Sequence, residues 1–430
     1  MKYPKVLIVG QYFNTTGGGG ITLTNLFTGW DKQSIACAAE NIYDPNFEVC
    51  DKYYQLGLME NERRFPFNLN PWKKYVKSGV VHKIESSTYS SPNVVKTSWL
   101  RRQYLNILLF TGIFHYKRRH KVSEELLSWI QEFSPDIIYS QLSSIELIEL
   151  VNDIHKSLRL PIAIHIMDDW PLTVGKGGLF KSYWFRKIDN GFRQLLSNAK
   201  VLMSISEAMS MEYLIRYGYK FVPFHNPIDL KFWNSFSKEN YEFNGTFIIL
   251  YAGRIGLGIE RSIDEIAEAV GCLNLKGYDI RLHIQATNFN PLLDELKKFD
   301  YIKINPTVSY SQLPAIFSQA DLLLLPNDFD NKSLSFLKYS MPTKASEYMV
   351  SGTPILLYSS VEAAITAHAL KYDWAYVVSE QGKSALEAAI SELYKRQDLR
   401  IKLGNTAKEY ARNNFDGVII RERFRQAFMQ

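Results

Sequence analysis

Cysteine is scarce: the 430 residues hold three, Cys37, Cys50 and Cys272, an odd number with no CxxC spacing. That count disfavours a disulfide framework and a cysteine zinc site, and it fits a reducing compartment. Histidine is sparse as well. The eight residues are scattered without HxxxH or HExxH spacing, so no metal and no cofactor is expected. No run approaches the roughly 18 apolar residues of a membrane span; the best, 107–114, is broken by Thr111 and Gly112. The opening residues 1–10 are too short an apolar stretch for a signal peptide, so a cytoplasmic protein, peripheral to the membrane at most, is expected. Neither charge sign dominates. Fifty Lys and Arg against 44 Asp and Glu leave +6, too little to argue for nucleic acid. What is present is ordinary globular usage, 46% hydrophobic and 22% charged, which excludes disordered and collagen-like classes. At about 150 residues per domain the length suggests two or three domains.

Short apolar runs alternate with longer amphipathic segments. In the first half 6–9, 35–39, 137–139, 162–166 and 201–205 read as buried strands, and 123–133, 145–158 and 180–196 as helices. Strands separated by helices imply crossover connections and a parallel sheet. The alternation falters between about 45 and 120, which is expected to be an irregular insertion with one or two helices. A second series follows, with strands at 246–253, 280–284, 301–304, 321–325, 354–357 and 375–378 and helices at 262–275, 291–299, 311–319 and 345–351. The reading is two doubly wound α/β domains, with the crevice between them as the default ligand site. A last amphipathic helix is expected over 417–430.

Five segments could carry chemistry. Gly17-Gly18-Gly19-Gly20 lies between the first strand and a helix expected from Ile21. Glycines allow close backbone approach, and a helix N-terminus suits anions; a flexible loop is the alternative. Gly253-Arg254 and Arg261, at the end of the second series' first strand, look like a diphosphate clamp, because guanidinium matches phosphate oxygens. A surface ion pair of Arg261 with Asp264 or Glu265 is the alternative. Lys344 and Glu347 are three apart and share one helix face. A glutamate there can accept both ribose hydroxyls; an ordinary capping carboxylate with a paired lysine is the alternative. His165, Asp168 and Asp169 sit at a strand end, where a carboxylate or imidazole could orient a sugar or move a proton. A core histidine and a turn-capping aspartate are the alternatives. Finally, 96–121 holds seven Lys or Arg and no acid among many apolar residues. That composition suits an anionic membrane surface or a lipid-pyrophosphate acceptor, or else a packed helix pair with a solvated basic face.

Together these motifs resemble the retaining glycosyltransferases of the GT-B fold, the large family that includes sucrose and glycogen synthase-like enzymes and many bacterial polysaccharide enzymes. Asn226-Pro-Ile-Asp229 looks like the family's Asn-x-x-Asp turn. Gly253-Arg254 with Glu260-Arg261-Ser262 resembles its donor-phosphate motif, and Pro342, Lys344, Glu347 and Tyr348 fit a Pro-x-Lys-x-x-Glu-Tyr subgroup. Two positions depart from the pattern: Tyr339 stands where a first glutamate is common, and Met167 where a donor-sugar histidine is usual.

The resemblance implies two Rossmann-like domains facing across a cleft. The acceptor side would be 1–228, with the C-terminal helix 415–430 packing back on it, and the nucleotide-sugar side 229–414. It implies transfer of a sugar with retention from a nucleotide-diphosphate sugar to a glycan or lipid-linked acceptor, in surface polysaccharide biosynthesis and without metal. Arg254 and Arg261 would hold the diphosphate, Lys344 would help at the phosphate or the sugar, Glu347 would hold the ribose, and Asp168 with or without His165 would position the sugar or acceptor. Gly18 and Gly19 would approach the donor. An inactive partner subunit of the same fold, motivated by Met167 and Tyr339, and a sugar-nucleotide epimerase or hydrolase are the alternatives.

Overall fold

The computed structural model describes the chain except residues 1–2, 15–17, 66, 68–75, 84–98, 112, 174–177, 244, 289 and 430. Gly17 and Lys96 lie outside the described residues. Two units emerge: Met1–Phe224 with Arg421–Gln430, and His225–Ile420.

The first unit is built on β1 (Val6–Val9), β2 (Ile35–Ala39), β3 (Lys52–Gln55), β5 (Gly79–Val81), β7 (Ile137–Ser140), β8 (Ile162–Ile166), β9 (Ala199–Ser204) and β10 (Val222–Pro223). The strand order is β10-β9-β8-β7-β1-β2-β3-β5. All pairs are parallel except β3 with β5. The central strands β1, β2, β7 and β8 are buried at every residue, because helices cover both faces of such a sheet. Serine N-caps start the following helices: Ser123 for Glu124–Phe133, Ser144 for Ile145–Leu158 and Ser206 for Glu207–Tyr217. Each accepts a backbone N–H in its first turn.

Residues 45–120 correct the sequence reading. Besides the helices Trp99–Phe110 and Ile113–Tyr116, this region supplies β3 and β5 to the main sheet. It also supplies an antiparallel ribbon of β4 (Asn61–Arg63) and β6 (Arg118–His120). Lys-Tyr-Tyr-Gln of β3 lacks an aliphatic run, yet Tyr53 and Tyr54 are fully buried. The Tyr54 hydroxyl donates to buried Glu60 (3.1 Å), which also accepts from Ser78 (2.6 Å) and Ser123 (2.5 Å). The first helix is a second correction, since it starts at Gly18 rather than Ile21. Gly20 sits so close to the Asn14 amide that a methyl group would collide with it.

The second unit holds β11 (Phe247–Gly253), β12 (Ile280–Ala286), β13 (Ile302–Ile304), β14 (Leu322–Pro326), β15 (Ile355–Tyr358) and β16 (Tyr376–Val378). All are parallel, in the order β13-β12-β11-β14-β15-β16. Numbered within the unit, that is 3-2-1-4-5-6, the Rossmann order. Ligands of such sheets bind beyond the carboxyl ends of the strands where the order reverses. Here that point lies between β11 and β14, and in the first unit between β1 and β7.

Candidate active site

β11 ends at the second unit's reversal point with Gly253, whose φ of +145° only glycine adopts without strain. The space a Cβ would fill there is taken by the Lys344 ammonium, 2.9 Å away. Lys344 belongs to the helix Thr343–Ser351. Its Nζ donates to the Ala252 carbonyl (3.3 Å) and lies 4.1 Å above the centre of the Tyr251 ring, a cation–π arrangement. Tyr348, fully buried one turn on, holds both polar groups of Ala252: its hydroxyl accepts the N–H (2.9 Å) and donates to the C=O (3.2 Å). The strand end and the helix are thereby pinned to each other.

Glu347 projects from the same helix and is buried. Its Oε1 accepts the Tyr310 hydroxyl at 3.0 Å. Tyr310 in turn stacks on Phe232 with ring centres 5.7 Å apart and planes 13° apart. The Asn226 side chain also bonds the Glu347 carboxylate and donates to the Thr343 carbonyl (3.2 Å). Burial pushes Glu347 up to about 7, against the hydrogen bond from Tyr310 and the charge of Lys344. Burial likewise pushes Lys344 down to about 7, against the charge of Glu347. Burial thus moves the acid and the amine toward each other on the pH scale, each against the charge of the other.

Arg254 and Arg261 are placed differently. The loop after β11 is fixed by its backbone: Tyr251 donates to the Arg254 carbonyl (2.5 Å), and Asn288 bonds both polar groups of Ile255 (2.9 and 2.8 Å). The Arg254 guanidinium is exposed, with no ion pair among the described residues. Arg261 lies along its own helix with its side chain 66% exposed, paired to Glu265 at 3.1 Å, which is the surface ion pair given above as its alternative. Asp328-Phe329-Asp330 is a DxD triplet just after β14, and both of its carboxylates are occupied by helix N-termini. Asp328 accepts the Ser262 N–H (2.8 Å); Asp330 accepts those of Lys332 (3.0 Å) and Ser333 (3.1 Å).

In the first unit, His165 has no exposed surface. Its Nδ1 lies 2.7 Å from the Tyr139 hydroxyl, which also accepts from the Gln141 amide (3.2 Å). That is the core histidine given as its alternative. The Asp168-Asp169 pair splits. Asp169 is buried and accepts both terminal nitrogens of Arg216 (2.7 and 3.0 Å) and the Tyr213 hydroxyl (3.0 Å), whereas Asp168 is exposed. Gly18 and Gly19 form the first turn of the helix Gly18–Phe27, and a methyl on Gly19 would sit 3.5 Å from the Gln141 side-chain oxygen.

No protein-family model matches the sequence, and no curated protein sequence does. Solved structures do match. Sucrose-phosphate synthase from Thermosynechococcus elongatus superimposes with a TM-score of 0.62 at 13% identity, covering 99% of this chain and 98% of that one. Anabaena HepE in complex with UDP and glucose gives 0.62 at 12% identity over 100% of both chains. The α,α-trehalose 6-phosphate synthase from Burkholderia multivorans gives 0.61 at 12%, covering 99% of this chain and 98% of that one. The chain has the GT-B fold.

Within this GT-B chain the sequence reading picked out Lys344, Glu347 and Gly253, which the structure gathers at one strand end. It missed Tyr251, Tyr310, Phe232 and Asp328. Tyr310 lies 37 residues from Glu347 and Asp328 66 from Ser262, and no local spacing links either pair. Met167 and Tyr339, the two departures, are both half-buried; Lys338 lies 5.7 Å from the Tyr339 ring centre.

Proposed function

We propose that the protein transfers a sugar, with retention of configuration, from a nucleotide-diphosphate sugar to a glycan or lipid-linked acceptor, in surface polysaccharide biosynthesis. The observation that carries this is the Gly253–Lys344–Glu347 constellation at the reversal point of a Rossmann-order sheet. Support comes from the fold, which is shared with HepE bound to UDP and glucose. In this reading Glu347 accepts the ribose hydroxyls after the Tyr310 hydroxyl has moved aside. Lys344, seated in the space that Gly253 leaves open, supplies a cation to the diphosphate, and Arg254 supplies a second. Recruiting Arg261 as a third costs little, because an exposed ion pair such as Arg261–Glu265 is worth about 1 kcal/mol or less. As the bond from the sugar's anomeric carbon to the diphosphate oxygen breaks, negative charge grows where these cations sit, and that is the charge they stabilise. The acceptor hydroxyl oxygen then bonds to the anomeric carbon, and its proton leaves with the diphosphate. Asp168, exposed at the end of β8, orients the sugar or the acceptor; His165, with no exposed surface, takes no part.

Calorimetry with UDP, GDP and ADP and their sugars tests the assignment. One nucleotide should bind, and Glu347→Gln and Arg254→Ala should each weaken it by about tenfold or more. Binding unchanged in both variants would reject the site. NMR of the glycosidic product reads the anomeric configuration, and inversion would reject retention.

A further inference from the structure

The first unit carries an apolar surface assembled from two distant segments. The helix Trp99–Phe110 buries Leu108 and leaves Tyr104, Ile107 and Phe110 exposed. The Leu179 N–H donates to the Phe110 carbonyl at 2.6 Å, which lays a second segment beside that helix. There Leu179 (64%), Phe180 and Tyr183 are exposed too. Single exposed apolar residues are ordinary, but two segments that meet at Phe110 and Leu179 and together expose six large ones mark an interaction surface. The two segments are themselves basic. Residues 99–121 contain six Lys or Arg and no acid, and 178–188 add Lys181, Arg186 and Lys187, again with no acid. Some of these cations are engaged: Arg118 with Glu40 (3.5 Å), Arg119 with Asp153 (3.3 Å) and Lys187 with Glu149 (3.7 Å). Lys181 and Arg186 are exposed and have no ion pair among the described residues.

We propose that these two segments together dock the protein on an anionic lipid bilayer. Ile107, Phe110, Leu179 and Phe180 enter the boundary between headgroups and acyl chains. Tyr104 and Tyr183 sit at headgroup level, where an apolar ring with a polar tip is best solvated. Lys181 and Arg186 meet the lipid phosphates. A second copy of the chain is the poorer occupant, because a two-fold interface would bring Lys181 and Arg186 up against the same cations of the other copy. The inference stands apart from the glycosyl-transfer reading, since vesicle binding needs no nucleotide.

The test is co-sedimentation of the full chain with vesicles of phosphatidylcholine alone, or of phosphatidylcholine and phosphatidylglycerol in equal parts. Binding is expected only with phosphatidylglycerol, and raised salt should weaken it. Phe110→Ser with Leu179→Ser should reduce it about tenfold, and Lys181→Glu with Arg186→Glu should do the same. Leu275→Ser, a change at an exposed leucine in the second unit, should leave it intact. Circular dichroism of each variant reports folding, which substitutions at exposed positions should spare. Absence of wild-type binding to either vesicle, or equal binding by wild type and both double variants, overturns the proposal. So does a wild-type dimer in light scattering that the Phe110/Leu179 variant dissociates.

Discussion

Glu347 and Lys344 oppose folding from opposite ends of the pH scale. Burial raises Glu347 to about 7, so folding takes up a proton there between the ordinary carboxylate range and pH 7. Its contribution to stability is complete in acid and is lost as the pH climbs toward 7. Burial lowers Lys344 to about 7, so folding releases a proton there. That contribution is complete above the ordinary lysine range and is lost as the pH falls toward 7. Measured against the double variant Lys344→Met with Glu347→Gln, the wild type should be least stable near neutrality and recover on both sides. Urea midpoints at about pH 5, 7 and 9 read this directly, and a flat difference would show that the pair is not held in a desolvated pocket. The same residues argue for a competitor. Tyr310 donates to the carboxylate a nucleotide would use, while its ring stacks on Phe232. Tyr310→Phe keeps the stack and removes the donor, so nucleotide affinity should rise by about threefold to tenfold; calorimetry would refute this by finding it unchanged or lower.

The helix Glu260–Leu275 has no side-chain cap of its own at Ile259. Asp328 serves instead from beyond β14: its carboxylate accepts the Ser262 N–H, its own N–H donates to the Gly258 carbonyl (2.7 Å), and Ser262 Oγ donates to the Asn327 carbonyl (2.9 Å). One loop thus sets where the Gly253–Arg261 turn lies. Asp328→Ala should cost about 1–2 kcal/mol in urea unfolding, as lost N-caps do, whereas Asp328→Asn, which keeps an acceptor, should cost less. Equal losses would mean that the charge, and not the acceptor, matters. That cap was invisible in the sequence because its partners are 66 residues apart. The parallel strands were legible for the opposite reason: Val6–Val9 and Ile35–Ala39 are buried on both faces and read as unbroken apolar runs, and Ile162–Ile166 is broken only by His165. β3 escaped notice because its buried side chains are tyrosines whose hydroxyls find partners, Tyr54 on buried Glu60 and Tyr53 on the Asn46 carbonyl. Lys344 and Glu347 were legible as a pair three apart on a helix, but the aromatic floor beneath them, Tyr251 and Tyr310, comes from other elements.

At the scale of the whole molecule, the segment from Arg421 onward returns to the unit built on β1. Phe424 has no exposed surface, and its ring centre lies 5.2 Å from Phe27, 5.3 Å from Phe224 and 6.0 Å from Tyr139. Phe428 closes on Trp30 at 5.6 Å, and the Arg421 guanidinium Nε donates to the Asn25 carbonyl (2.8 Å). Tyr139 is the residue that bonds His165, so the terminal segment packs on the polar pair at the centre of the first sheet. Phe424→Ala removes a large ring from a closed cluster and should cost about 3–5 kcal/mol, a substantial share of an ordinary domain's stability. The loss should be local to one unit. Hydrogen exchange read by mass spectrometry should show lost protection in peptides covering Gly18–Phe27 and β7, while β11 and β14 keep theirs. Equal loss in β11 and β14 would mean that the two units unfold as one and that the terminal segment stabilises the whole chain.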